Sequence, residues 1–264
     1  MISIGPFALA LERLGALVAL GLFLVGSKRI EHRFGGNAER RAFTTLLAGM
    51  LAARAGYVIT NWSAFRHEPL SILAFWQGGF SWIWGVIATT TLLILTMRRS
   101  RALTPMIALL AGISALWFAA DRLLLTPAPR PFPSDILITR IDGTAVTPEQ
   151  LRGKPFVINL WATWCPPCRR EMPMMVEEAA RASLPILLVN QGEDRATVEA
   201  WLREQRLPNK AILLDPQSTT STRLENGALP TTLFVDAAGM IRTIHRGEIS
   251  RAGLLSAIRE LDRP

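Results

Sequence analysis

Hydrophobic positions follow two different rhythms along this chain. Up to about residue 120 they form long runs, at residues 6–26, 42–60, 80–97 and 102–120. Glu12 and Arg13 interrupt the first run and Arg54 sits in the second. The last two are uncharged and about long enough to cross a hydrocarbon core. From Ser134 onward the runs shorten and alternate with amphipathic stretches, as in a soluble α/β domain. Strands are predicted over 136–141, 156–161, 185–190, 211–214, 229–236 and 240–245. Helices are predicted over 148–151, after Cys165 with a kink at Pro173, and over 196–205, 218–225 and 250–261. The pattern divides the chain into an α-helical membrane domain of about four transmembrane helices (1–121), a linker (122–133) and an α/β domain (134–264). Four prolines between Pro127 and Pro133 make that linker a stiff, extended spacer.

Charge sharpens this division. The net charge of +8 resembles a nucleic-acid signal until it is divided along the chain. Residues 134–264 hold 16 basic and 16 acidic side chains, whereas residues 1–133 hold 13 and 5. The basic half is also the apolar half, with its charges lying between runs. That is a topology signal and not a phosphate-binding face, so no nucleic-acid partner is expected. Lys28, Arg29, Arg33, Arg40 and Arg41 lie in one connection and Arg98, Arg99 and Arg101 in another; the connection 61–79 holds only Arg66. The positive-inside rule places the first two in the cytoplasm, with both termini and the α/β domain outside. Trp62, Trp76, Trp82 and Trp84 around the outer connection fit an interfacial belt. A cleaved signal peptide would carry its positive charge before the apolar core, whereas here Lys28 and Arg29 follow it. A pairing of Glu12 with Arg54 inside the bundle is the structural reading of the charges within spans.

Chemistry enters with Cys165 and Cys168, the only cysteines in the 264 residues. They follow an apolar strand and a Trp161-Ala162-Thr163-Trp164 turn, and a helix follows them. A Cys-X-X-Cys pair at a strand-to-helix junction is a thioredoxin-type redox arrangement. The helix N-terminus stabilises a thiolate, which marks Cys165 as the nucleophile, and Pro166 and Pro167 suit the first helical turn. A zinc site would need about four ligands, and His32, His67 and His245 do not cluster, so no metal is expected. A purely structural bridge would close too short a loop to constrain the unfolded chain much.

Several separated motifs carry a resemblance. Trp161 to Cys168, Glu171, Pro173, Leu229-Pro230-Thr231-Thr232 and the Asp236…Gly239 hairpin resemble the TlpA/ResA-like family of membrane-anchored thioredoxin-fold proteins. The resemblance implies a thioredoxin fold, a central mixed sheet flanked by helices. It also implies a cis Leu229–Pro230 bond against the cysteines, and an active-site role for Glu171. Leu229 would then pair with an extended substrate strand, and Trp164, Pro166 and Pro167 would shape the substrate-facing surface. Plain thioredoxins carry a buried Asp six residues before the first cysteine; Asn159 stands there and cannot titrate, leaving Glu171 as the proton acceptor. A second resemblance covers about the first hundred residues. Ile4-Gly5-Pro6-Phe7, Ala53-Arg54-Ala55-Gly56-Tyr57-Val58 and the stretch from Pro69 to Ser81 are similar to prolipoprotein diacylglyceryl transferases. That family continues into a His-Gly-Gly, where this chain has Ile83-Trp84-Gly85. The departure implies a truncated, degenerate relative that serves as an anchor.

The expected function is a membrane-anchored periplasmic thiol:disulfide oxidoreductase that reduces disulfides, of the cytochrome c or copper-site maturation type. Cys165, Cys168 and Glu171 would be catalytic, and the redox-active disulfide would be the only redox group, with no separate cofactor. Expected partners are periplasmic proteins with cysteine pairs, a membrane thiol electron donor of the DsbD/CcdA type, and the lipid bilayer. A donor is required because the membrane part has no cysteine of its own. The alternatives are a periplasmic oxidase or isomerase, a lipid-modifying acyltransferase with an accessory redox domain, and a non-catalytic binding module.

Overall fold

The computed structural model describes residues 2–4, 7–9, 11–35, 37–66, 69–75, 78–120, 122–123, 129–133, 135–224 and 227–261. The chain forms two compact units, Met1–Pro127 and Ala128–Pro264.

The first unit opens with a small antiparallel hairpin of β1 (Ile2–Ile4) and β2 (Phe7–Leu9), followed by α1 (Leu11–Phe34) and α2 (Ala38–Thr60). The short α3 (Trp62–Phe65) and a 3-10 turn at Pro69–Leu73 precede α4 (Trp82–Met97) and α5 (Leu103–Ala120). The hydrophobic run at 6–26 therefore does not correspond to one helix. Phe7 pairs with Ile4 in the hairpin, and the helix starts only at Leu11; Pro6 lies outside the described residues. At its other end α1 passes Gly26 and continues through Lys28 and Arg29, because long charged side chains favour helix about as well as apolar ones. It ends at Gly35, whose φ of +71° is the left-handed conformation that suits glycine after a helix. Among the described residues two helices, α2 and α5, are long and apolar enough to cross a membrane; α4, with 16 residues, is shorter.

Small residues bring α2 and α4 together. A Cβ on Gly49 would lie 2.1 Å from Thr89 Oγ1, and one on Gly56 would lie 2.2 Å from the Trp84 ring. Large apolar side chains such as Leu17, Phe43, Leu47, Leu95 and Leu116 are exposed. Arg54 is buried, and main-chain carbonyls receive its guanidinium. Nε donates to Ile72 at 3.0 Å, Nη1 to Gly78 and Gly79 at 2.6 and 3.0 Å, and Nη2 to Ser71 at 2.7 Å. The rings of Phe65, Phe75 and Phe80 surround it at 5.4–5.8 Å. The expected pairing with Glu12 falls on a side chain outside the described part of the structure. Trp76, expected in the interfacial belt, is also outside it.

The second unit is built on one sheet. In chain order it contains β3 (Arg130–Pro131), β4 (Ile138–Arg140), β5 (Ala145–Val146), α6 (Pro148–Leu151), β6 (Phe156–Trp161) and α7 (Pro166–Arg181). Then come β7 (Ile186–Gln191), α8 (Arg195–Gln205), β8 (Ile212–Asp215), α9 (Thr219–Arg223), β9 (Thr231–Val235), β10 (Met240–Arg246) and α10 (Arg251–Leu261). Among the described residues the strand order is β3-β10-β9-β6-β7-β8-β4-β5, with β6, β7 and β8 parallel and the flanking pairs antiparallel. This is the expected mixed sheet. Every residue of β6, β7 and β9 is buried, as strands covered on both faces require.

The linker is shorter than its prolines suggested. Arg130 and Pro131 pair with Ile241 and Met240, and Phe132 packs edge-on against Phe156 at 5.7 Å. Proline is tolerated there because β3 is an edge strand. The predicted helix 218–225 is shorter, Thr219–Arg223, with Leu224 as its C-cap; residues 225 and 226 lie outside the described residues. Pro173 does not interrupt α7, which runs through it as one helix.

The alternation of β6 positions the site. Phe156, Ile158 and Leu160 join one core cluster; Val157 and Trp161 join the other, with Cys165, Cys168, Met172 and Met175. Asn159 shares the parity of Val157 and Trp161 and so lies on the face covered by α7. In β9, Thr232 shares the parity of Phe234, which belongs to the same cluster.

Candidate active site

The β6 strand ends at Trp161, and a short turn delivers Cys165 as the N-cap of α7. Pro166 and Pro167 take the first helical positions, where a missing N–H costs no intrahelical bond. The Cys168 amide donates to Cys165 Sγ at 3.3 Å. Cys165 and Cys168 are joined as a disulfide, with sulfurs 2.12 Å apart and Cα atoms 5.3 Å apart. Both cysteines are buried, Cys165 at 3% exposure and Cys168 at none. The Cys168 amide at Cys165 Sγ and the positive end of a 16-residue helix favour a thiolate at Cys165 once the bridge is open.

Glu171 lies one helical turn beyond Cys168 and is only 3% exposed. Its Oε1 accepts from Asn159 Nδ2 at 2.9 Å, and its Oε2 accepts from the Ile249 amide at 2.9 Å. Asn159 Nδ2 also donates to Thr232 Oγ1 at 3.1 Å. Burial pushes the Glu171 carboxyl up to about 7, against the opposing pull of the two hydrogen bonds. Glu248 raises it slightly further and Arg170 lowers it. Those two side chains form an ion pair at 2.7 Å beside Ile249. Such a carboxyl accepts or gives a proton near neutral pH.

A second carboxylate orders the turn before Cys165. Glu193, from the connection between β7 and α8, accepts from the Thr163 amide at 2.8 Å and from Asn190 Nδ2 at 2.7 Å. It also accepts from the Thr163 hydroxyl. Trp164, between this clamp and Cys165, is 67% exposed, whereas Trp161 is fully buried against Trp201 at 5.3 Å. The two tryptophans of one motif thus divide between packing and surface. The Leu229–Pro230 peptide bond is cis, and Leu229 packs against the core cluster that holds both cysteines. Pro166 is exposed and Pro167 half-buried.

Sequence reading had singled out Cys165, Cys168, Glu171, Trp164, Pro166, Pro167, Leu229 and Pro230. It had treated Asn159 only as a residue unable to titrate, and had missed Thr232, Glu193 and the Ile249 amide. The even spacing along β6 could have placed Asn159 beneath α7. Nothing local in sequence joins Glu171 to Ile249, which is 78 residues away. In the first unit Ile83 is half exposed.

A mixed sheet with a Cys-X-X-Cys bridge at the start of a 16-residue helix packed on it defines a thioredoxin-fold protein. The AhpC/TSA family matches residues 130–244, and the prolipoprotein diacylglyceryl transferase family matches residues 1–123. The thiol:disulfide interchange protein DsbE of Pseudomonas fluorescens biotype C is 35% identical over 120 residues, 46% of this chain and 67% of that protein. The thiol-disulfide oxidoreductase ResA of Geobacillus kaustophilus is 33% identical over 120 residues, covering 44% and 68%. A solved thioredoxin-family thiol:disulfide interchange protein from Chlorobium tepidum is 24% identical, with a TM-score of 0.43, covering 51% of this chain and 97% of its own. The chain belongs to the DsbE/ResA family of thiol:disulfide oxidoreductases, and its N-terminal part is similar to prolipoprotein diacylglyceryl transferases.

Proposed function

We propose that this protein is a membrane-anchored periplasmic reductase of protein disulfides, with Cys165 and Cys168 as its redox pair and no separate cofactor. The observation that carries the reading is Glu171, a buried carboxyl held near pKa 7 one turn from Cys168. In the dithiol form the Cys165 thiolate attacks a substrate disulfide; a mixed disulfide forms and one substrate thiolate leaves. Glu171 then takes the Cys168 proton, and Cys168 sulfur attacks Cys165 sulfur. The substrate leaves as a dithiol, two electrons have passed to it, and the chain is left as the Cys165–Cys168 disulfide. Trp164, Pro166, Pro167 and the Leu229–Pro230 segment form the substrate-facing surface.

The N-terminal unit is the anchor, with four spans, both termini outside and the basic connections in the cytoplasm. Support comes from the apolar length of α2 and α5, the similarity to an integral-membrane transferase family and the asymmetric placement of Arg and Lys. Substrates are periplasmic proteins with cysteine pairs, of the cytochrome c or copper-site maturation kind. A membrane thiol donor of the DsbD/CcdA type restores the dithiol, because Cys165 and Cys168 are the only cysteines in the chain.

Equilibrating the Cys165–Cys168 pair against thioredoxin tests the direction. A potential near thioredoxin's, about −270 mV or lower, fits a reductase. One near about −120 mV would make the chain a disulfide donor and overturn this reading.

A further inference from the structure

Two consecutive residues of α7 hold two consecutive residues of the segment that follows β10. Arg170 donates to Glu248 through Nε at 2.9 Å and Nη2 at 2.7 Å, both on the same carboxylate oxygen. Its neighbour Glu171 accepts from the next residue along, the Ile249 amide, at 2.9 Å. We propose that Arg170 and Glu248 are positioning residues for proton transfer: their ion pair clamps the Gly247–Ile249 segment against Glu171 and keeps water from its carboxyl. This rests on the proton-accepting role given to Glu171 above.

The clamped segment is short and anchored at both ends. β10 ends at Arg246 and α10 begins at Arg251. Gly247 turns the chain out of the sheet with a φ of +97°, a conformation that suits glycine. Its amide donates to the Pro230 carbonyl at 2.8 Å, which ties the turn to the cis-proline segment. At the other end the Ile249 side chain is buried in the cluster that holds both cysteines. Glu248 lies between these anchors. Its carbonyl is 3.2 Å from His245 Nε2, and its carboxylate meets Arg170. The Glu248 side chain is 17% exposed against 61% for Arg170, so the guanidinium reaches in from solvent to hold a largely covered carboxylate.

Burial is the largest cause of the raised Glu171 carboxyl, and such a group responds to any change in its access to water. The charged groups that act on it are Arg170 of α7 and Glu248 after β10, and they pull it in opposite directions. Asn159 of β6 and Thr232 of β9 are uncharged, and Cys165 and Cys168 are joined. Arg251 of α10 pairs with Glu177 and Glu178 further along α7. The competing account is an ordinary surface ion pair, which contributes little. A single variant does not separate the two accounts, because loss of either partner also changes the field at Glu171. Removing both partners does separate them. The two opposed fields then disappear together, and what remains is the effect of the clamp.

The test mixes the reduced full chain in detergent with a disulfide-bonded peptide and follows the single-turnover rate across neutral pH. Wild type should show a midpoint near 7 that Glu171→Gln removes. Arg170→Met with Glu248→Gln should move this midpoint down by about half a pH unit, because water then reaches the carboxylate. Hydrogen exchange at the Ile249 amide should quicken by about threefold in the same variant. Arg170→Lys, which keeps the ion pair, should stay near wild type in both readings. An unchanged or raised midpoint in the double variant would reduce the pair to a surface contact and overturn the inference, while leaving Glu171 its role. A wild-type profile with no midpoint near 7, or one that survives Glu171→Gln, would overturn the role of Glu171 and this inference with it.

Discussion

The two units bury their side chains in opposite ways, and the buried Arg54 of one and the buried Glu171 of the other show it. In the N-terminal unit the tight contacts are made by Gly49, Gly56 and Thr89, while Phe43, Leu47 and Leu95 are exposed. In the C-terminal unit Phe156, Trp161, Leu188 and Phe234 are buried on the two faces of the sheet. On the proposed membrane reading, helices surrounded by lipid gain little from hiding large apolar groups and associate through close backbone approach. A domain in water must hide them. The buried charges differ just as much. Arg54 gives its donors to four carbonyls and lies among three rings, an arrangement that holds a loop in place. Glu171 receives only two hydrogen bonds for its buried carboxylate, so its proton is poised. A saturated charge stabilises a structure; an under-compensated one can react.

The largest test of this contrast is removal of the thiols. Cys165→Ser should abolish disulfide exchange, whereas Cys168→Ser should trap a mixed disulfide with substrate, visible on a non-reducing gel. Turnover retained in both variants would remove the catalytic role from this site. Next in size is the helix contact in the other unit. Gly56→Leu would drive a side chain into the Trp84 ring, and overpacking of this kind costs about 1–3 kcal/mol. Thermal unfolding of the full chain in detergent should fall by several degrees, while the disulfide potential of the other unit should stay unchanged.

Glu171→Gln sharpens the comparison through pH. The folded carboxyl titrates at about 7, against an ordinary 4.5. Between those values the folded state holds a proton that the unfolded state has lost, so this group's contribution falls as pH rises from about 4.5 to about 7. The full loss is on the order of 3 kcal/mol. The variant should match wild type near pH 4 and exceed it in stability above pH 7 by up to that amount, as read from denaturant melts of residues 128–264. Its exchange rate should also lose the wild-type dependence on a group titrating near 7. An unchanged pH profile would remove Glu171 from proton transfer.

The smallest expected effect belongs to Asn159→Ala. Loss of the amide that donates to the Glu171 carboxylate should move the carboxyl further up, because a bond to the charged form is gone. Infrared titration of the carboxyl band reads the direction. A downward move would show that Asn159 does not support the charged form.

Much of this protein could be read along the chain. Runs of apolar residues announced the helices α2, α4 and α5, short alternating runs announced β6 to β10, and the Cys-X-X-Cys spacing announced the chemistry. Those signals are local: each depends on residues within one element and on the period of that element. The continuation of α1 through Lys28 and Arg29 was less legible, since charge marks a membrane boundary without ending a helix. The proline-rich stretch before the α/β unit was misleading for a similar reason. Proline predicts an extended backbone, and only the exposed edge of β10 decided that Arg130 and Pro131 would join a sheet.

The candidate site divides along the same line. Sequence alone determined the two thiols, the helix that begins at them and a glutamate one turn further on. Tertiary structure decided the state of that glutamate. Asn159 is 12 residues away and Ile249 is 78, and both reach Glu171 only once β6, α7 and the loop after β10 are packed together. Whether Glu171 is a solvated first-turn charge or a buried acid near neutral pH depends on desolvation, which is a property of the whole packed surroundings and of no single segment.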